Sequence, residues 1–163
     1  MKTLVAYCSR HGSAQKIAHL ITQELHHTSV RLLDLKVEQV PENIDCYDQV
    51  VLGGSIHFGK IQNEVRKFCK DHFRELLDKR LGLYLCYMLE DKAEEEFNDA
   101  FPEELRNHAS ALGFFGGELK LEKMNMVDSF VTKNILQKRE NEYKLDEAAF
   151  DSFITKMNFV ESI

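Results

Sequence analysis

Five short apolar runs alternate with stretches of helical periodicity along this chain, and that alternation limits the fold more than any other feature. The runs are Thr3 to Cys8, Val30 to Leu35, Gln49 to Gly54, Leu81 to Tyr87 and Ala111 to Gly116. The first is apolar at consecutive rather than alternate positions, as expected of a strand covered on both faces. From Ser13 to His27, the residues Ile17, Leu20, Ile21 and Leu25 recur at i, i+3, i+4 and i+8, the period of an amphipathic helix. Ile61, Val65, Phe68, Cys69 and His72 line a second helical face, and Glu94 to Ala109 reads as a helix interrupted or started near Pro102. Asp146 to Val160 closes the chain as a helix, with Ala149, Phe150, Phe153, Met157 and Val160 apolar. A parallel connection needs a crossover, and the crossover helix packs on the sheet. The expectation is therefore an α/β fold with a five-stranded parallel sheet covered on both faces.

At 163 residues the chain fits one domain, long enough to bury a core without disulfides or metals. A net charge of −6, with no clustered Lys/Arg surface, argues against nucleic acid as a partner, because phosphate neutralisation needs such a surface. Cys8, Cys46, Cys69 and Cys86 form no C-x-x-C pair and have no His nearby at metal-ligand spacing, so they read as buried free thiols, with no metal site. No signal-peptide pattern and no run of about 18 apolar residues is present, which predicts a cytoplasmic protein without a transmembrane segment. Residues 118 to 143 lack a clear assignment and balance five basic against five acidic residues, so they read as an insertion after or within the fifth strand.

Ligands of open parallel sheets bind beyond the carboxyl ends of the strands, so the loops after the first, third and fourth strands are the ones to inspect. After the first comes Ser9-Arg10-His11-Gly12-Ser13-Ala14, with two hydroxyls and a glycine leading into a helix. Such a turn can aim several N–H groups at one phosphate, helped by the positive end of the helix dipole. An ordinary turn and N-cap fits the same residues equally well. After the third strand comes Gly53-Gly54-Ser55-Ile56-His57-Phe58-Gly59, whose glycines would let a planar ring meet peptide groups closely beside Ile56, His57 or Phe58. After the fourth, Tyr87, Met88 and Leu89 supply a candidate opposite wall, and residues 90 to 104 hold eight carboxylates against one lysine. An acidic rim of this kind steers basic electron-transfer partners, or is simply a solvated helix face. The P-loop and G-x-G-x-x-G patterns are both absent, which counts against nucleoside triphosphates and dinucleotides.

Together, Met1-Lys2-Thr3-Leu4, the Ser9 to Ser13 loop and the Gly53 to Gly59 segment resemble flavodoxins. They are more similar still to the flavodoxin-like menaquinone-dependent protoporphyrinogen oxidases. The resemblance spans roughly the first 90 residues well and continues more weakly to the end. It implies a three-layer sandwich with strand order 2-1-3-4-5 and non-covalent FMN. The phosphate would lie on Ser9, Arg10, His11, Gly12, Ser13 and Ala14, and the ring between Ser55, Ile56, His57, Phe58, Gly59 and the Tyr87, Met88, Leu89 loop. The chain departs from the flavodoxin pattern in having Arg10 and His11 where a threonine-glycine step is usual, and in having no Trp. The oxidase-like relatives carry a basic, aromatic insertion implicated in substrate or membrane-side contact, whereas residues 118 to 143 are balanced in charge and hold only Phe130 and Tyr143 as aromatics.

Three functions are compatible with these residues. In the leading one, FMN carries electrons to a redox partner protein, a quinone or a small molecule, and the protein sets the potential of the ring. An FMN-dependent oxidase acting on protoporphyrinogen is the second. A non-catalytic interaction module of the same fold is the third, although a receiver domain would carry an acidic cluster where Ser9 stands. Cys8, at a strand end near a helix N-terminus, is also a candidate nucleophile.

Overall fold

The computed structural model describes residues 1–26, 28–87, 90–116 and 146–159. Its centre is a sheet built from β1 (Lys2–Tyr7), β2 (Ser29–Asp34), β3 (Gln49–His57), β5 (Arg80–Tyr87) and β6 (Ala111–Gly116), all parallel, in the order β2-β1-β3-β5-β6. A sixth strand, β4 (Lys60–Ile61), pairs antiparallel with the far end of β3 and stands off this path. With β4 set aside, the five parallel strands follow the expected 2-1-3-4-5 order. The extra strand was not anticipated, because two residues carry no periodicity to read.

Side chains alternate along each strand, so each strand supplies two separate cores. Leu4 and Ala6 of β1, with Cys8 just after it, join Leu81, Leu83 and Leu85 of β5 on one face. That face is covered by α2 (Asn63–Asp71), α3 (Phe73–Leu77), α4 (Ala93–Ala100) and α5 (Glu103–His108) through Val65, Phe68, Leu76, Phe97 and Leu105. Val5, Tyr7, Val51, Tyr84 and Cys86 occupy the other face, covered by α1 (Ser13–Glu24) and α6 (Glu147–Asn158). Burial from both sides is why β1 and β5 read as continuous apolar runs. Each fully buried Leu or Phe in these cores contributes roughly 1.5–3 kcal/mol relative to exposure.

Several boundaries differ from the sequence reading. The helix expected around Ile61 to His72 starts at Asn63, and Ile61 belongs to β4; a second short helix, α3, follows at Phe73. The helix expected from Glu94 to Ala109 divides into α4 and α5 at Phe101-Pro102, since proline offers no N–H to continue the first helix. The first helix ends at Glu24 rather than His27, and β3 continues three residues past Gly54, to His57. The insertion expected at 118 to 143 lies outside the described residues. Among the described residues, no helix is long and apolar enough to cross a membrane.

Candidate functional site

The carboxyl end of β1 lies beside the middle of β3, with Tyr7 paired to Gly53 and the Cys8 N–H donating to the Gly53 carbonyl at 3.2 Å. That pairing launches the Ser9 to Gly12 loop from a fixed point. Gly12 then adopts φ 96°, a left-handed conformation that costs a residue with a Cβ and costs glycine little. Its N–H donates to Ser9 Oγ at 3.0 Å, closing the loop on itself.

Gly12 is the N-cap of α1, which has no side-chain capping hydrogen bond and no acidic residue in its first turn. α6 is built differently: Asp146 accepts from the Ala149 N–H at 3.0 Å. A carboxylate at an N-terminus neutralises the positive end of the helix dipole, and the first turn of α1 carries none. Arg10 and His11 are exposed, Ser9 and Ser13 half-buried, and Gly12 and Ala14 buried.

The start of α1 is held in place from across the sheet. Tyr84, fully buried in β5, donates its hydroxyl proton to the Ala14 carbonyl at 2.8 Å. Its ring runs over Gly53, where a Cβ would lie 2.0 Å from Cε1 of Tyr84. Gly53 is glycine because an aromatic ring occupies the space of its side chain. At Gly54 a Cβ would stand 2.7 Å from Gln62 Oε1 and 2.8 Å from Ile61 Cγ1. The expectation that these two glycines frame a loop is corrected: both are buried inside β3 and serve packing.

The loop itself is a two-residue hairpin, Phe58-Gly59, between His57 and Lys60. Phe58 has φ 51° and Gly59 φ 76°, the pair of positive values that matches the twist of a tight β-hairpin. Glycine suits such a position and phenylalanine does not, so Phe58 stands in a strained conformation while 91% exposed. The hairpin is clamped by Gln62, whose Nε2 donates to Ser55 Oγ at 2.8 Å and whose Oε1 accepts from the Ser55 N–H at 3.1 Å.

Alternation along β3 turns His57 to the α1 face, where its ring lies 6.3 Å from that of His11 and 4.1 Å from that of Phe58. The loop after β1 and the hairpin after β3 therefore meet. Among the described residues, His57 Nε2 is buried with no hydrogen-bond partner. Burial first, and then the positive charges of Arg10 and His11, push this imidazole below its ordinary range.

Tyr87 closes β5 half-buried and falls on the α4 face, where it lines a groove of about 580 Å³ with Phe97, Leu112, Phe114 and Ala149. Met88 and Leu89 lie outside the described residues. Cys8 is buried, its thiol 3.8 Å from Glu64 Oε2. Burial, followed by the charges of Glu64 and Asp34, pushes that thiol up to about 12, so the candidate nucleophile is a neutral thiol at physiological pH. Among the described residues no group of His, Cys, Asp and Glu is arranged to hold a metal ion.

Two residues that position the site escaped the sequence reading. Tyr84 looks like any apolar strand residue until Gly53 is seen beneath it, and Gln62 carries no signal beyond closeness to a turn.

A family model for the flavodoxin domain matches residues 4–146. The protoporphyrinogen IX dehydrogenase [quinone] of Escherichia coli (strain K12) is 28% identical over 96 residues, which cover 58% of this chain and 53% of that protein. The match thus spans about half the length of the curated relative. Among solved structures, oxidised Flavodoxin 1 from Bacillus cereus aligns with TM-score 0.52 at 15% identity, over 85% of this chain and 98% of that one. Rubredoxin oxygen:oxidoreductase from Desulfovibrio gigas aligns with TM-score 0.56 at 12% identity, over 97% of this chain and 37% of that one. At such identities the structural likeness concerns the fold. A parallel sheet ordered β2-β1-β3-β5-β6, a hydroxyl- and glycine-bearing turn at the edge of that sheet, and a family match over most of the chain lead to one conclusion: this chain belongs to the flavodoxin domain family.

Proposed function

We propose that the chain binds FMN non-covalently at the carboxyl edge of its sheet and carries electrons through it. The observation that carries this reading is the meeting of two loops. The open N-terminus of α1, fronted by Ser9, Arg10, His11, Gly12, Ser13 and Ala14, faces the Ser55 to Gly59 hairpin through the His11–His57 ring pair. The donor set fits a flavin phosphate: a helix N-terminus without a carboxylate, two hydroxyls and cationic side chains. Phe58, held exposed in a conformation that costs free energy, offers an aromatic face to the ring, with Ser55, Ile56 and Gly59 beside it; Tyr87 ends the neighbouring strand β5, and Met88 and Leu89 come next in sequence.

When bound, FMN supplies one- and two-electron chemistry. The protein's own part is to hold the phosphate, present the hairpin to the ring and keep water from one side of it. The acidic run on and around α4, including Glu94, Glu95, Glu96 and Asp99, suits a basic redox partner protein. A second reading, oxidation of a porphyrinogen with a quinone as acceptor, is favoured by the partial match to the Escherichia coli dehydrogenase.

An absorption spectrum of purified or FMN-reconstituted protein, followed by chromatography of the released flavin, tests the first reading. Bands of oxidised flavin and released FMN support it; a colourless protein that leaves added FMN fully fluorescent contradicts it. Turnover of protoporphyrinogen with a quinone by the loaded protein separates the second reading from simple electron carriage. We also assign the described elements to one domain, with 118 to 143 as an insertion after or within the fifth parallel strand.

A further inference from the structure

We propose that His57, paired with His11, belongs to the phosphate end of the site rather than to the ring wall, and takes up a proton when a phosphate-bearing flavin enters. Family resemblance places His57 beside the ring, but its side chain turns to the α1 face and meets the phosphate loop. Its ring centroid is 6.3 Å from that of His11, and its buried Nε2 has no partner among the described residues. In neutral imidazole such a nitrogen is an acceptor or an N–H donor according to the tautomer, and in the imidazolium both ring nitrogens are donors that can meet an anion. Its neighbours decide between these. Arg10 and His11 act on it from the loop, and Lys60 stands opposite it across the hairpin.

The carboxylates on the surrounding elements are engaged or directed elsewhere. Glu64 of α2 approaches Cys8, and Asp34 at the end of β2 acts on Tyr7. Glu94, Glu95, Glu96 and Asp99 belong to α4 on the opposite side of the sheet. Desolvation first, and then the charges of Arg10 and His11, hold the His57 imidazole below its ordinary value in the empty protein. A phosphate dianion reverses the sign of that surround and favours the imidazolium. The chain would then discriminate FMN from riboflavin by a charge that appears only when the phosphate is present.

This inference rests on the FMN reading, and the sign of the proton count separates the two. A phosphate held by neutral N–H donors alone binds as the dianion, and because its second pKa is about 6 it releases a small fraction of a proton at pH 7. An imidazole that charges on binding takes up most of one proton instead. Calorimetric titration at pH 7 in buffers of different ionisation enthalpy measures the count directly in the wild-type protein. FMN is expected to bring net proton uptake and riboflavin none, with the FMN Kd weakening up to about tenfold per pH unit above neutrality. His57→Gln should abolish the uptake while still binding FMN, and His11→Asn should reduce it. A count of zero or below, an equal count with riboflavin, or uptake unchanged in His57→Gln overturns the assignment of His57 while leaving FMN binding intact. Failure of the wild-type protein to bind FMN at any pH from 5.5 to 8.5 overturns the FMN reading and this inference with it.

Discussion

Replacing Gly53 by alanine tests whether the ring of Tyr84 really occupies the space above β3. The new Cβ would stand 2.0, 2.1 and 2.4 Å from three atoms of that ring, whereas unstrained carbons sit about 3.5–4.0 Å apart. Relief needs a shift of more than 1 Å. Tyr84 has little room to give it, because it is fully buried against Phe115 and Phe153 and its hydroxyl is tied to Ala14. The cost should fall at the upper end of the usual overpacking range, about 3 kcal/mol, which for a domain of this size lowers Tm by roughly 6–12 °C. Urea unfolding monitored by circular dichroism gives the number directly, and an unchanged m value shows that stability, not the surface exposed on unfolding, has changed. A double-mutant cycle sharpens the test. Tyr84→Ala alone costs about 3–5 kcal/mol through the cavity it leaves, and Gly53→Ala in that background should cost less than about 1 kcal/mol. A single Gly53→Ala variant within about 0.5 kcal/mol of wild type, or additive losses in the double variant, would refute the packing argument.

Other consequences are equally direct. Phe58→Gly removes a left-handed non-glycine residue whose exposed ring makes little core contact; the FMN-free protein should gain up to about 1 kcal/mol in chemical denaturation, while FMN affinity falls roughly tenfold by fluorescence titration. Thiol labelling at pH 8 should modify Cys46 quickly, whereas Cys8, Cys69 and Cys86, each buried and pushed up to about 12, react only when the chain unfolds. Burial raises the pKa of Glu75, but the Ile44 N–H at 2.7 Å and the His72 ring outweigh it and hold the carboxyl below its ordinary value. A depressed carboxyl stabilises the fold above its unfolded pKa, about 4.3, and that stability is lost as pH falls through the lower folded value. Glu75→Gln should therefore cost about 1–3 kcal/mol at pH 7 and flatten the acid limb of the stability profile, as read by denaturation at a series of pH values.

Much of the architecture was legible because a parallel sheet buried on both faces leaves a coarse mark. Thr3 to Cys8 and Leu81 to Tyr87 read as strands covered on both faces, and Pro102 as the interruption of the helix around it. The Ser9 to Ser13 turn was legible as a phosphate-loop candidate only through its position at a strand end; its left-handed Gly12 is the local feature that agrees with it. The roles of the glycines were misread because composition does not tell a backbone freed for a turn from one that makes room for a ring. Gly59 is the first kind, and Gly53, beneath Tyr84, is the second. Likewise β4 and the Gln62 clamp involve two residues and one amide, too little pattern for any period to reveal. The His11–His57 pair joins positions far apart in sequence, and only the strand order brings them together.

The central claim is that the Ser9 to Ala14 turn and the Ser55 to Gly59 hairpin form one flavin site at the edge of the sheet. Amide chemical-shift mapping of 15N-labelled protein during an FMN titration tests it most directly. The account predicts the largest shifts at residues 9 to 14, with a second set at 55 to 59, and the first set absent when riboflavin replaces FMN. Shifts confined to the groove lined by Phe97, Leu112 and Phe114, or an unchanged spectrum at saturating FMN, would contradict it.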